Sequence, residues 1–269
     1  MNKHTWLGKI YLWLVLILLY LPIGYLIFYS FSSGRNMNHF KQFTWLHYQT
    51  LFQDNRLLAI FLQTILLALL SGLIATAIGT TGAVMIDRLQ QKRQQKVFLA
   101  LNNVLMVSPD VIIGASFLIF FTALGIQLNF GSVLISHVAF SIPIVVLMVL
   151  PKLKEMDHTL VDAASDLGAS PRQIFSRILI PAMMPGIAAG FFMALTYSLD
   201  DFAVTFFVTG NGFTTLSVEI YSRARQGIDL EINALSTIIF LFVLVLVFIY
   251  YLLTTRRFKK NGKIGGVIK

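Results

Sequence analysis

The chain of 269 residues holds only twelve acidic side chains, and five of them, Asp200, Asp201, Glu219, Asp229 and Glu231, crowd into one short stretch. Asp200 and Asp201 stand side by side at the end of a long uncharged run, among Tyr197, Phe202, Phe206 and Phe207. If the helix persists, Tyr197 and Asp201 share a face at i, i+4, with Asp200 about 100° away. Carboxylates alternating with aromatic rings suit a flexible aliphatic polycation, because each ammonium finds a carboxylate or a ring face and the methylenes find apolar walls. The same two acids could instead cap the helix where it emerges into water. Another acid, Asp110, follows Ser108-Pro109 inside a second apolar run, where a carboxylate is costly. It either caps a helix resuming after Pro109 or meets a cation on a solvated path. Glu219, Tyr221 and Arg223 belong to a polar helix, fit either to dock a protein or to rest, solvated, at an interface.

The elements that must carry these groups are membrane spans. Hydrophobic residues make up 57% of the chain, charged residues 12%, and mean hydropathy is +0.76, which excludes a soluble globule of ordinary make-up. Six helical spans are expected, at about 10–31, 57–86, 97–124, 132–150, 181–199 and 232–254, each near the ~20 residues that cross a bilayer. The first follows Lys3 and Lys9 without a cleavage site and reads as a retained anchor that Pro22 and Gly24 could bend. Phe40, Phe43, Trp45 and Tyr48 read as an interfacial segment. In the second span Gly72, Ala75, Gly79 and Gly82 offer small faces for close packing. The third is interrupted at Ser108-Pro109-Asp110, the fourth contains Pro143 and ends at Pro151, and the fifth starts near Pro181. His137, alone within the fourth, is expected to bond a neighbouring helix rather than relay protons.

Between the fourth and fifth spans lies a polar island, Asp162 to Pro181. Val161, Ala163, Ala164 and Leu167 form a short helical run that Gly168 can end by taking φ > 0. Ser170 is the expected N-cap of a second helix with Pro171 at its first position, and Ile174, Phe175, Ile178 and Leu179 share a face. This is a helix-turn-helix elbow at a membrane surface. An interfacial amphipathic hairpin would have the same outline. Sixteen of the twenty-one Lys and Arg residues lie at the two termini, in the loop 87–96 and in the stretch 152–180 that includes the elbow, and five, Arg35, Lys41, Arg56, Arg223 and Arg225, on the other side. The richer side should be cytoplasmic, so the termini and the elbow are expected inside.

The order Asp162-Ala163-Ala164, three residues, Gly168, nine residues, then Ile178-Leu179-Ile180-Pro181 resembles the E-A-A-x3-G-x9-I-x-L-P loop of permease subunits of binding-protein-dependent ABC importers. It departs from that pattern in Asp162 for Glu and Ile180 for Leu. The resemblance implies an all-α membrane protein with the type I ABC importer permease (MetI-like) fold, in which the loop couples to a cytoplasmic ATPase. By that resemblance Asp162, Ala163, Ala164, Gly168, Ser170, Pro171, Ile178 and Pro181 are the coupling residues. The run TYSLDDF, the FFVTGNG segment with Asn211 where proline is usual, and Glu231-Ile232-Asn233-Ala234-Leu235-Ser236-Thr237 are similar to the PotC-type spermidine/putrescine branch. That branch implies a homologous second permease, two ATPase subunits and an extracytoplasmic polyamine-binding protein, in a bacterial cytoplasmic membrane. A single permease domain, 1–269, is expected, with a coupling loop at 152–180 and an extracytoplasmic stretch at 200–231. Tyr197, Asp200, Asp201, Phe202 and Asp110 would line the substrate path, and Glu219, Tyr221 and Arg223 would meet the binding protein.

Several functions are excluded by what the chain lacks. No G-x-x-x-x-G-K-[ST] segment occurs, so ATP and Mg are expected on the partner ATPase and no cofactor here. Cysteine is absent and the five histidines have no metal-ligand spacing, so no metal site is expected. There is no catalytic constellation either, so the chain is expected not to be an enzyme. The net charge of +9 gathers on one side of the membrane rather than in a nucleic-acid patch, and no nucleic acid partner is expected. An ion-coupled secondary transporter remains as an alternative, although such proteins carry ionisable residues in several spans. So does an ABC permease for another small solute.

Overall fold

The computed structural model describes residues 3–34, 37, 39–157, 159–210, 212–226 and 230–262, with side chains left out before residue 8, at 246 and 247, and from 249 onward. Arg35, Asn36, Asn38, Asn211, Asp229 and the chain end from 263 lie outside the described residues. The described chain is helical, with a single isolated bridge pairing Ser32 and Phe43. It divides into two units, residues 1–58 with 220–269, and residues 59–219.

In the first unit, α1 (Lys3–Ser30) leads to the Ser32–Phe43 bridge, α2 (Leu46–Gln53) and the start of α3 (Asn55–Asp87). The aromatic residues read as interfacial form a cluster, with Phe31 stacked on Phe43 at 5.3 Å and edge-on to Trp45 at 5.0 Å. Polar bonds pin this cluster to the end of α1: Ser30 Oγ lies 2.7 Å from Tyr48 Oη, and His47 Nε2 lies 2.9 Å from the Ser32 carbonyl. Asp54 caps α3 by accepting from the Arg56 and Leu57 backbone N–H groups. The Leu57 N–H, and to a lesser extent the Arg223 guanidinium and Arg56 N–H, hold the Asp54 carboxyl below the usual carboxylate range, against an opposing push from burial. Arg223, near the end of α11 (Leu216–Gln226), also reaches Glu231 at the start of α12 (Leu230–Gly262), at 3.6 Å.

The second unit is built around α6 (Phe130–Lys154), which begins at a reciprocal cap between Asn129 and Ser132. Its buried Val145, Val146, Val149 and Leu153 meet Ala75 and Ala83 of α3 and Met183 and Ala194 of α9 (Ile180–Asp200). Glycines set the closeness of these contacts. A Cβ on Gly79 would stand 2.7 Å from the Val145 side chain, and one on Gly186 would stand 2.7 Å from the Met148 carbonyl. Small residues at such crossings let helices pack by dispersion where lipid offers no hydrophobic drive.

Among the described residues, four helices are long and apolar enough to cross a membrane: Gly8–Ser30, Asn55–Asp87, Phe130–Lys154 and Pro171–Asp200. A fifth span would be α4 (Lys92–Val107) with α5 (Asp110–Ala123) taken together. The third expected span is interrupted where the sequence placed the break, and Ser108-Pro109 turns α5 by 101° from α4. Two expectations change here. Pro151 does not end the fourth, since α6 runs on to Lys154 and thereby buries Leu153 in the core. Nor does the fifth begin at Pro181. It starts at α8 (Pro171–Ile174) and passes through a π-helical turn, Phe175–Leu179, into α9. Ile180 N–H closes that wide turn on the Phe175 carbonyl, and so carries the helix past Pro181, which has no N–H to give.

Candidate functional site

Two places in the second unit concentrate polar chemistry, the elbow and the end of α9. In the elbow, α7 (Thr159–Asp166) stops at Gly168, whose φ of 79° is open to glycine at little cost. The chain then restarts on a full capping box, with Ser170 Oγ accepting from Gln173 N–H and Gln173 Oε1 accepting from Ser170 N–H. Its inner face is apolar: Val161, Ala164, Ala169 and Phe175 pack on the core, and Ile174 and Leu179 are buried. A cavity of about 330 Å³ remains there, lined by Val84, Arg88, Leu153, Val161, Pro171 and Ile174. Asp162, Ala163, Gly168, Ser170, Pro171 and Pro181 are exposed on the outside and Ile178 is half-buried. Leu160 and Leu167, which the sequence did not single out for the outer surface, stand 54% and 89% exposed.

At the other site, Tyr197 and Asp110 come together across 87 residues of sequence. Tyr197 Oη donates to Asp110 Oδ1 at 3.1 Å. Asp110 opens α5 without making a side-chain cap, so of its two readings the cap is the one the geometry does not support. Its neighbour Pro109 exposes the break, and Tyr197 and Asp200 are exposed near the end of α9. Phe140 stacks edge-on to Tyr197 at 5.2 Å, and Phe202 lies 5.5 Å from Phe206.

Asp201 behaves differently from Asp200. Its side chain is 7% exposed, and it caps α10 (Ala203–Val208) by accepting from the Val204 and Thr205 N–H groups and from Thr205 Oγ1 at 2.7 Å. Its backbone carbonyl takes the Ser217 hydroxyl. His137 is bonded to neighbouring helices as expected, with Nδ1 2.7 Å from Ser198 Oγ and Nε2 2.8 Å from Thr205 Oγ1. Ser198 in turn accepts from Ser71 at 3.0 Å. These hydroxyl partners were missed in the sequence because Ser and Thr carry no pattern that identifies which helix they face. Glu219 is not on the outer surface of α11 either, being 6% exposed, whereas Tyr221 is exposed and Arg223 pairs with Asp54 at 3.3 Å.

The model of the family "Binding-protein-dependent transport system inner membrane component" matches residues 75–260. The chain belongs to that family. Members of it are membrane subunits without catalysis of their own, and this chain is a non-catalytic inner-membrane component. The chain is 39% identical over 249 residues to the spermidine/putrescine transport system permease protein PotC of Escherichia coli K12, covering 93% of each. It is 32% identical to the putrescine transport system permease protein PotI of the same strain, covering 90% of this chain and 89% of that one. In fold it resembles a chain of a bacterial alginate ABC transporter, solved in complex with alginate pentasaccharide-bound periplasmic protein, with a TM-score of 0.72 over 96% of each chain at 20% identity.

Proposed function

We infer that this chain is the transmembrane permease subunit of an ATP-driven, binding-protein-dependent importer of polyamines such as spermidine and putrescine. The observation that carries the cargo is near-full-length similarity to permeases named for those two solutes. The site has chemistry to match: an exposed carboxylate, Asp200, and the Asp110–Tyr197 pair supply acceptors for ammonium groups, with Tyr197 and Phe202 as ring and methylene contacts. Asp201, locked as a cap, contributes negative potential to the path rather than a free ligand oxygen.

The chain is laid out as six spans with both termini cytoplasmic, the sixth from about 232 to 254, in a bacterial cytoplasmic membrane. The elbow of 152–180 faces the cytosol and 200–231 faces outward, in one permease domain. A homologous second permease completes the path and two cytoplasmic ATPase subunits bind ATP and Mg. An extracytoplasmic polyamine-binding protein delivers the cargo to a surface that includes Tyr221. The exposed Leu160 and Leu167 support the elbow's seating in an ATPase, because apolar side chains this exposed gain by being covered. ATP closes the ATPase pair, the elbow moves with it, and α8 with its π-turn passes the displacement directly into α9, at whose far end the cation path lies.

Reconstitution of the complete complex tests this reading. Spermidine or putrescine with its carrier should stimulate ATP hydrolysis and enter the vesicle. Stimulation by another solute class alone would overturn the cargo.

A further inference from the structure

His137 is fully buried, and the transport path as described makes no use of it. Its bonds have a definite direction. Both oxygens of Asp201 accept backbone N–H groups, and Thr205 Oγ1 gives its only proton to Asp201 Oδ2. Thr205 can therefore only accept from His137, so Nε2 carries the ring proton. Nε2 also lies 3.4 Å from Asp201 Oδ2. On the other side Nδ1 lies 2.7 Å from Ser198 Oγ, which lies 3.0 Å from Ser71 Oγ. One imidazole thus joins α3 and α9 on one side to the Asp201 cap on the other. The ring also packs against Phe140 at 4.9 Å, and Phe140 packs against Tyr197, the donor to Asp110.

We propose that His137 is a positioning residue for the cation path: it holds Thr205 against Asp201 through Nε2–H and Ser198 through Nδ1, and so fixes how the end of α9 presents Tyr197 and Asp200. The proposal rests on the importer reading for its transport readout. It differs from a purely structural role because each ring nitrogen has its own task, and the two tasks can be removed separately.

His137→Asn keeps an acceptor near Nδ1 and loses the donor to Thr205, whereas His137→Gln keeps a donor near Nε2. Thr205→Val cuts the same link from the other end. In the reconstituted complex, His137→Asn and Thr205→Val should lower the import rate at saturating loaded carrier about tenfold, the scale of one lost buried hydrogen bond. The half-saturating carrier concentration should stay within about twofold, because the docking surface is untouched. His137→Gln should recover most of the rate, and the Asn/Val double variant should be no slower than the slower single one. Equal rates for the Asn and Gln variants, an additive double variant, or loss of the assembled complex in both His137 variants would each overturn the proposal. A wild-type complex that imports no polyamine would count against the importer reading alone. In that event the ¹⁵N spectrum of the imidazole, assigned by difference from His137→Asn, still decides: a proton on Nε2 supports the proposal and a proton on Nδ1 alone overturns it.

Discussion

Replacing Gly168 with aspartate separates the elbow's internal conformation from its proposed docking. Gly168 has φ of 79°, and a Cβ there would meet no heavy atom within 4 Å, so the side chain starts into open space. The internal cost is the left-handed backbone, about 1–2 kcal/mol for an ordinary residue and less for Asp or Asn. That is small beside a folding stability of roughly 5–15 kcal/mol, and inserted protein should persist. If the elbow is gripped by an ATPase, the same carboxylate is buried without a partner at the contact. A penalty of about 3 kcal/mol follows, or roughly 100-fold in affinity. Gly168→Asn has the same shape without the charge and should lie between. The assay compares inserted permease, co-purified ATPase and spermidine uptake. Normal uptake by Gly168→Asp would refute the reasoning, and so would a loss of inserted protein in proportion to lost uptake.

Other expectations follow from single contacts. Gly186→Ala should lower the thermal midpoint of the purified complex, at about 1–3 kcal/mol for overpacking against the Met148 carbonyl, while Gly82→Ala, whose Cβ would find only Val146 at 3.9 Å, should be neutral or stabilising. Asp110→Asn and Tyr197→Phe should each slow polyamine uptake more than they reduce assembly; unchanged kinetics in both would remove the pair from the path. The Asp54 carboxyl is depressed in the folded chain, so its contribution is present above the unfolded value of about 3.9 and is lost as pH falls through the folded value. A thermal-stability profile between pH 5 and 3 should therefore be flatter for Asp54→Asn than for wild type, and parallel profiles would contradict this.

What the sequence revealed was local. Gly168, Ser170, Pro171 and Gln173 define a turn and a capping box among themselves, and the structure forms both. Four long apolar helices were legible from composition, as was a break at Ser108-Pro109, but no residue in the sequence states the 101° angle of the bend, after which α5 lies against Val204 and Phe207 at Gly114. Pro181 looked like a helix start because proline favours the first turn, and nothing in the sequence announces that a π-turn will carry the helix through it. Adjacent Asp200 and Asp201 looked equivalent. Only the fold of α10 back over Asp201 distinguishes the exposed acid from the buried cap.

The elbow's sidedness and seating can be measured together, because the chain contains no cysteine. A single Leu167→Cys thiol stands where the elbow's leucine is 89% exposed. A membrane-impermeant thiol reagent should label it in inside-out vesicles and not in right-side-out cells, and bound ATPase should protect it. Labelling from the outside, or full reactivity with the ATPase in place, would contradict the claim that a cytosolic motor grips this bend.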